Sequence, residues 1–79
     1  MKRFRAGEIV RVTDIKGCAC YGLVERKIRT KWRVHLIGHP KRAGVWVNWS
    51  VPDSYLHHIP EAKVPDEVWV TLAKWRLSQ

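Results

Sequence analysis

The chain has 79 residues, of which 46% are hydrophobic and 28% are charged. This length suits one small domain and leaves little room for a deep enzymatic cleft, and the composition argues against intrinsic disorder. No apolar run approaches the ~18 residues that a membrane-spanning helix needs, and none follows the basic first residues as it would in a secretory signal. We therefore expect a soluble, cytoplasmic protein.

Charge is distributed unevenly along the chain. Fifteen Lys and Arg residues stand against seven Asp and Glu residues, which gives a formal net charge of +8. Residues 1–42 carry twelve bases and three acids (+9), whereas residues 43–79 carry three bases and four acids (−1). Such a charge favours an anionic partner, which could be RNA, DNA or an acidic protein surface. We expect no membrane partner, and the oligomeric state is open.

The first sixty residues have the pattern of short β-strands separated by turn residues. In the third of these strands, Trp32, Val34 and Leu36 alternate with Arg33 and His35, so the apolar members should face the core. The predicted strands are Glu8–Thr13, Gly22–Ile28, Lys31–Ile37, Val45–Ser50 and Tyr55–Ile59, with a 3₁₀-like turn before the last one. This series predicts a mainly β fold, a small five-stranded barrel over residues 1–60.

Residues 61–79 form a C-terminal extension that we expect to pack on the barrel. Its segment after Pro65 begins with Asp66 and Glu67, which suits the start of a helix. Val68 and Leu72 then share one helical face with Trp75. The β-branched residues at the start of this segment are also compatible with an extra strand. Helix and strand are both open at this point.

An ordered set of glycines and valines suggests a family for the barrel. The set consists of a glycine, an acid, two alternate valines and two further glycines, at Gly7, Glu8, Val10, Val12, Gly17 and Gly22. It resembles the KOW motif, which belongs to SH3-like barrels, over about residues 5–37, although Cys18–Tyr21 replace the family's interior glycines. The resemblance implies an SH3-like barrel that binds RNA, transcription machinery or protein. Gly22 would permit a close approach that a side chain blocks.

A basic hairpin is the sharpest local signal. Five of the eight residues from 26 to 33 are basic, namely Arg26, Lys27, Arg29, Lys31 and Arg33. Cations in a region poor in acids bind phosphates and release counterions. Lys16, Lys41 and Arg42 would extend this patch. Because the hairpin lacks Asn and Gln, we expect weak sequence preference. The alternative is a solvated hairpin without a ligand.

An exposed tryptophan could add base stacking to this site. Trp46 and Trp49 differ in strand parity, so a regular strand cannot point both inward. With Val45 and Val47 inside, Trp46 would lie outside and offer a stacking platform, with Tyr21 as a second one. The alternative is that the C-terminal extension covers Trp46.

The neutral, tryptophan-rich half of the chain supports a second hypothesis. In it the protein is a docking accessory or regulatory subunit, such as a phage-type inhibitor, because aromatic side chains anchor protein interfaces. The residues of that interface would be Trp46, Trp49, Trp69 and Trp75.

Enzymatic and metal-binding functions are not predicted. Cys18 and Cys20 are spaced too closely for the usual zinc ligand pairs, so we expect no metal and no cofactor. The order of Gly22, His39-Pro40 and Val45 is similar to that in type II dihydrofolate reductases. That family has Val-Gln-Ile-Tyr where this chain has Val-Trp-Val-Asn, and the Gln and Tyr build its pore, so we expect no enzymatic activity.

Overall fold

The computed structural model describes residues 3–15, 18–41 and 44–79. Its elements are β1 (Ile9–Ile15), β2 (Cys18–Ile28), β3 (Lys31–Ile37), β4 (Val45–Pro52), β5 (Leu56–His58) and α1 (Asp66–Leu77). A 3₁₀ turn at Asp53–Tyr55 joins β4 to β5, as predicted, and a second one precedes α1. The mainly β prediction is confirmed. No helix in these residues has both the length and the apolar character to cross a membrane.

The five strands form one antiparallel sheet in the order β4-β3-β2-β1-β5. Strands β1 to β4 follow one another as a meander, and β5 then returns to pair with the far side of β1, where Val10 lies opposite His58. In the described residues β4 and β5 stay at the two edges, so ladder pairing does not close the sheet.

One face of the sheet carries the larger core, called the inner cluster. Its members are Phe4, Val10, Val12, Ile15, Cys20, Val24, Trp32, Val34, Leu36, Val51 and Leu56. The alternation predicted for β3 is confirmed, since Trp32, Val34 and Leu36 are all buried. Gly22 faces this cluster, and a Cβ there would lie 2.9 Å from Cγ2 of Val12. The close approach expected at Gly22 is therefore present.

The other face of the sheet is covered by α1. The buried outer cluster consists of Ile9, Leu23, Ile37, Val64, Val68 and Leu72. The helix follows Pro65 and has Asp66 and Glu67 in its first turn, where acidic side chains interact favourably with the helix dipole. Val68 and Leu72 are buried as the helical spacing predicts. Because residues 66–77 form a helix, the alternative of an extra strand is wrong. The apolar side of this helix packs on buried residues of three strands, β1, β2 and β3.

A β-bulge in β4 overturns the expected orientation of Trp46. Leu36 pairs with Trp46 and Val34 pairs with Trp49, so one residue of β3 spans two of β4. The extra residue resets the alternation, and both tryptophans pack against the inner cluster. The expectation that Trp46 points outward while Val47 is inside was therefore wrong. Val47 is 36% exposed.

Candidate nucleic-acid interface

The hairpin between β2 and β3 turns in two residues. Ile28 pairs with Lys31, which leaves Arg29 and Thr30 as the turn. Arg29 has a φ of 54°, and Thr30 does not share the positive φ. A positive φ at the first turn residue alone matches a type II′ turn, where glycine is the usual choice. Arg29 accepts an unfavourable backbone conformation there, and its side chain is exposed.

The basic side chains of residues 26–33, called the basic tip, lie on both faces of the hairpin. Arg26 pairs directly with Arg33. The side chains of these two arginines therefore share the outer face. Lys27 pairs with Trp32 on the inner face, and its ammonium lies 5.8 Å from the centroid of the Trp32 ring. Arg33 is half-buried, while the other four cations of the basic tip are exposed.

The residue before the basic tip is acidic, but it contacts a histidine. An oxygen of Glu25 lies 3.4 Å from Nε2 of His35. Within the described ranges, Arg26, Arg29, Lys31 and Arg33 form no ion pair with a carboxylate. Like charges directly opposite each other in a sheet are destabilising. The pair of arginines therefore leaves unbalanced positive charge that a bound anion would neutralise.

A compact aromatic group lies at the other end of β3. It consists of His39, Trp46 and Trp49, with Trp46 edge-on to both partners at centroid distances of 4.7 Å and 4.8 Å. His39 is buried, and its Nδ1 accepts a hydrogen bond of 3.1 Å from the backbone N–H of Lys41. These contacts leave Trp46 half-buried. The side chains that partly bury Trp46 are those of His39 and Trp49. This local packing takes the place of the predicted alternative, in which Trp69 or Trp75 of the C-terminal extension covers Trp46.

The structure separates the basic tip from the aromatic group. Lys31 starts β3, whereas Trp46 pairs with Leu36 near its end. Five residues of strand correspond to about 17 Å, so Trp46 does not adjoin the basic tip. Lys41 is exposed and lies on the aromatic side. The predicted additions Lys16 and Arg42 lie outside the described residues.

Tyr21 lies in the part of β2 that is remote from the basic tip. It pairs with Arg11 on one side and with Ile37 on the other. The guanidinium carbon of Arg11 is 5.9 Å from the centroid of the Tyr21 ring, and the ring also packs against the outer cluster. The pairing of Arg11 with this ring was not predicted, because it depends on the register between β1 and β2.

The four tryptophans proposed as a docking face occupy different surfaces. Trp46 and Trp49 lie on the inner side of the sheet. Trp75 instead borders the outer cluster, and its ring centroid lies 5.2 Å from that of His35. Trp69 is 36% exposed on α1. The contact of His39 with Trp46 was not predicted from the sequence. The only indication of it was that His39 lies in the loop just before β4.

Two further observations bear on the site. Across the described ranges, no group of three or more His, Cys, Asp and Glu side chains could hold a metal ion. The chain matches no protein-family model, no curated protein and no solved structure.

Proposed function

We propose that the chain is an SH3-like barrel that binds nucleic acid through the basic tip, without enzymatic activity. The strand order, the return of β5 to β1 and the 3₁₀ turn before β5 support the barrel, since they follow the connectivity of that fold. In this proposal the inner cluster is the barrel interior, and α1 covers the outside.

The observation that carries the proposal is the pairing of Arg26 with Arg33, neither of which forms an ion pair with a described carboxylate. Directly opposed residues of a sheet have Cβ atoms about 4.5–5.5 Å apart, so the two guanidinium groups can reach adjacent phosphates of one strand. Each guanidinium can donate two parallel hydrogen bonds to a phosphate. Arg29 and Lys31 add charge at the turn.

The same geometry favours weak sequence preference. The basic tip presents cations that bind phosphate oxygens, and it has no amide side chain to read adenine. Trp46 is packed edge-on within the aromatic group, so phosphate contacts rather than base stacking account for the binding.

Salt-dependent titration of labelled oligonucleotides tests this function. We expect affinity for single- and double-stranded DNA and RNA to fall steeply with salt. The double variant Arg29→Gly and Lys31→Ala should lower the slope against log salt by about 1.8 for duplex DNA, at ~0.9 per lost phosphate contact. A matched control, Arg11→Ala with Lys63→Ala, removes the same charge at exposed positions remote from the basic tip and should retain most of the slope.

Two results would contradict the proposal. Equal losses in both double variants would mean that net charge alone attracts the oligonucleotide. Absence of binding at low salt, together with co-purification of one defined protein, would instead favour an acidic protein surface as the partner.

A further inference from the structure

Helix α1 has a second apolar face, whose residues are exposed to different degrees in the described part of the chain. While Val68 and Leu72 are buried against the sheet, the opposite side exposes apolar residues. This outward face consists of Trp69, Val70, Ala73 and Leu77, of which Val70 is 51% and Leu77 is 87% exposed. At 100° per residue the four positions span about 100° of the helix surface, the width of a helix contact stripe.

The exposed charges of α1 are polarised along the helix, and Asp66 lies at the N-terminal end of the outward face itself. Asp66 and Glu67 occupy the first turn, whereas Lys74 and Arg76 occupy the last. All four side chains are exposed, and among the described residues none of them forms an ion pair. A helix with acids at one end and bases at the other is complementary to its own copy in the opposite direction.

We propose that two copies of this chain associate through the outward faces of α1, with the helices antiparallel. Placing Glu67 opposite Lys74 of the second copy pairs two exposed charges that lie on the same edge of the outward face. By two-fold symmetry each contact occurs twice. A parallel alignment would instead oppose acid to acid and base to base.

The same alignment matches the sizes of the apolar side chains. It sets Trp69 opposite Ala73 of the second copy, so the largest side chain of the face meets the smallest. Val70 then lies near the two-fold axis. A 12-residue helix is about 18 Å long, so the interface is small and the association should be weak, in the micromolar range. No residue of the basic tip takes part, so this inference does not depend on nucleic-acid binding.

Analytical ultracentrifugation of the full chain, over a concentration series reaching several hundred micromolar, tests the association. We expect the mean mass to rise from 9.3 kDa towards twice that value. Trp69→Ser should weaken the dimer at least tenfold. Glu67→Lys and Lys74→Glu should each weaken it several-fold, and the two together should restore it, because they exchange the charges of each ion pair.

The matched control is Lys63→Glu, which changes an exposed residue outside α1 and should leave the dimerisation constant unchanged. Circular dichroism establishes that each variant is folded, and Val70→Thr provides a milder second change to the outward face. A mass of 9.3 kDa at every concentration overturns the proposal. Dimerisation that Trp69→Ser leaves intact, or that the double charge exchange fails to restore, overturns it as well.

Discussion

The two ends of β3 use charge and aromatic surface in opposite ways. At the basic tip every cation except the half-buried Arg33 is exposed, and Arg26 and Arg33 lie opposite each other without an acidic partner. At the other end the rings of His39, Trp46 and Trp49 contact one another and the inner cluster. The opposed like charges at the basic tip lower the stability of the folded protein, whereas the packing of the aromatic group raises it. Changes at the two ends should therefore have different signatures.

The largest effect is expected from Trp46→Ala. Because the ring packs against His39, Trp49 and the inner cluster, its loss should lower the free energy of unfolding by about 2 kcal/mol, less than for a fully buried tryptophan. Urea denaturation measures this change, and exposed Trp69→Ala is the control. The salt slope of oligonucleotide binding should not change. If stability were unchanged and affinity for single strands fell tenfold, the aromatic end would be a binding surface.

A smaller effect on stability is expected from Arg26→Glu, which should stabilise the fold but weaken oligonucleotide binding. The variant replaces a like-charge pair with an opposite-charge pair across the hairpin, which should raise the free energy of unfolding by about 0.5 kcal/mol. The same change should weaken oligonucleotide binding strongly, because it adds a negative charge at the proposed phosphate site. Thermal denaturation and titration of the same samples measure both. Arg26→Gln, as the control, should show part of each effect, and lower stability in both variants would contradict the account.

The smallest effect is expected from Arg29→Gly. Glycine accepts the positive φ of this turn position, although it has more freedom to lose on folding, so stability should rise by between zero and about 1 kcal/mol. The change also removes one proposed phosphate contact, which should lower the salt slope by about 0.9. Arg29→Ala removes the same charge but keeps the backbone strain, and denaturation should show it to be less stable than the glycine variant. A glycine variant that is the less stable of the two would contradict the turn assignment.

The regular parts of the fold were predictable because local patterns determine them. The alternation of Trp32, Val34 and Leu36 predicted β3 with the bounds that the structure has. For the segment after Pro65 the sequence left helix and strand as alternatives. The shared buried face of Val68 and Leu72 was predicted only under the helical alternative. Both depend on side chains a few residues apart, whose relation the backbone geometry determines.

The features that could not be predicted depend on pairing with another strand. The inward orientation of both Trp46 and Trp49 follows from a bulge that is defined only relative to β3. Similarly, β2 begins at Cys18 rather than at the predicted Gly22, because its first residues pair with β1 although they show no alternation. The separation of Trp46 from the basic tip has the same origin, since the order of residues along β4 does not reveal where that strand starts against β3.

The bulge at Glu25 has a consequence for how the protein can be altered. Val24 pairs with Val34 and Arg26 pairs with Arg33, so Glu25 is the extra residue that resets the alternation of β2. In β2 the side chains beyond Glu25 therefore have the opposite phase, so Arg26 lies on the outer face with Arg33, whereas β3 keeps a regular alternation through Trp32. Residues 26–31 can be exchanged for another segment of the same length, with a different charge, while Trp32 and the rest of the inner cluster keep their places. The charge of this turn can thus be altered without rearranging the interior.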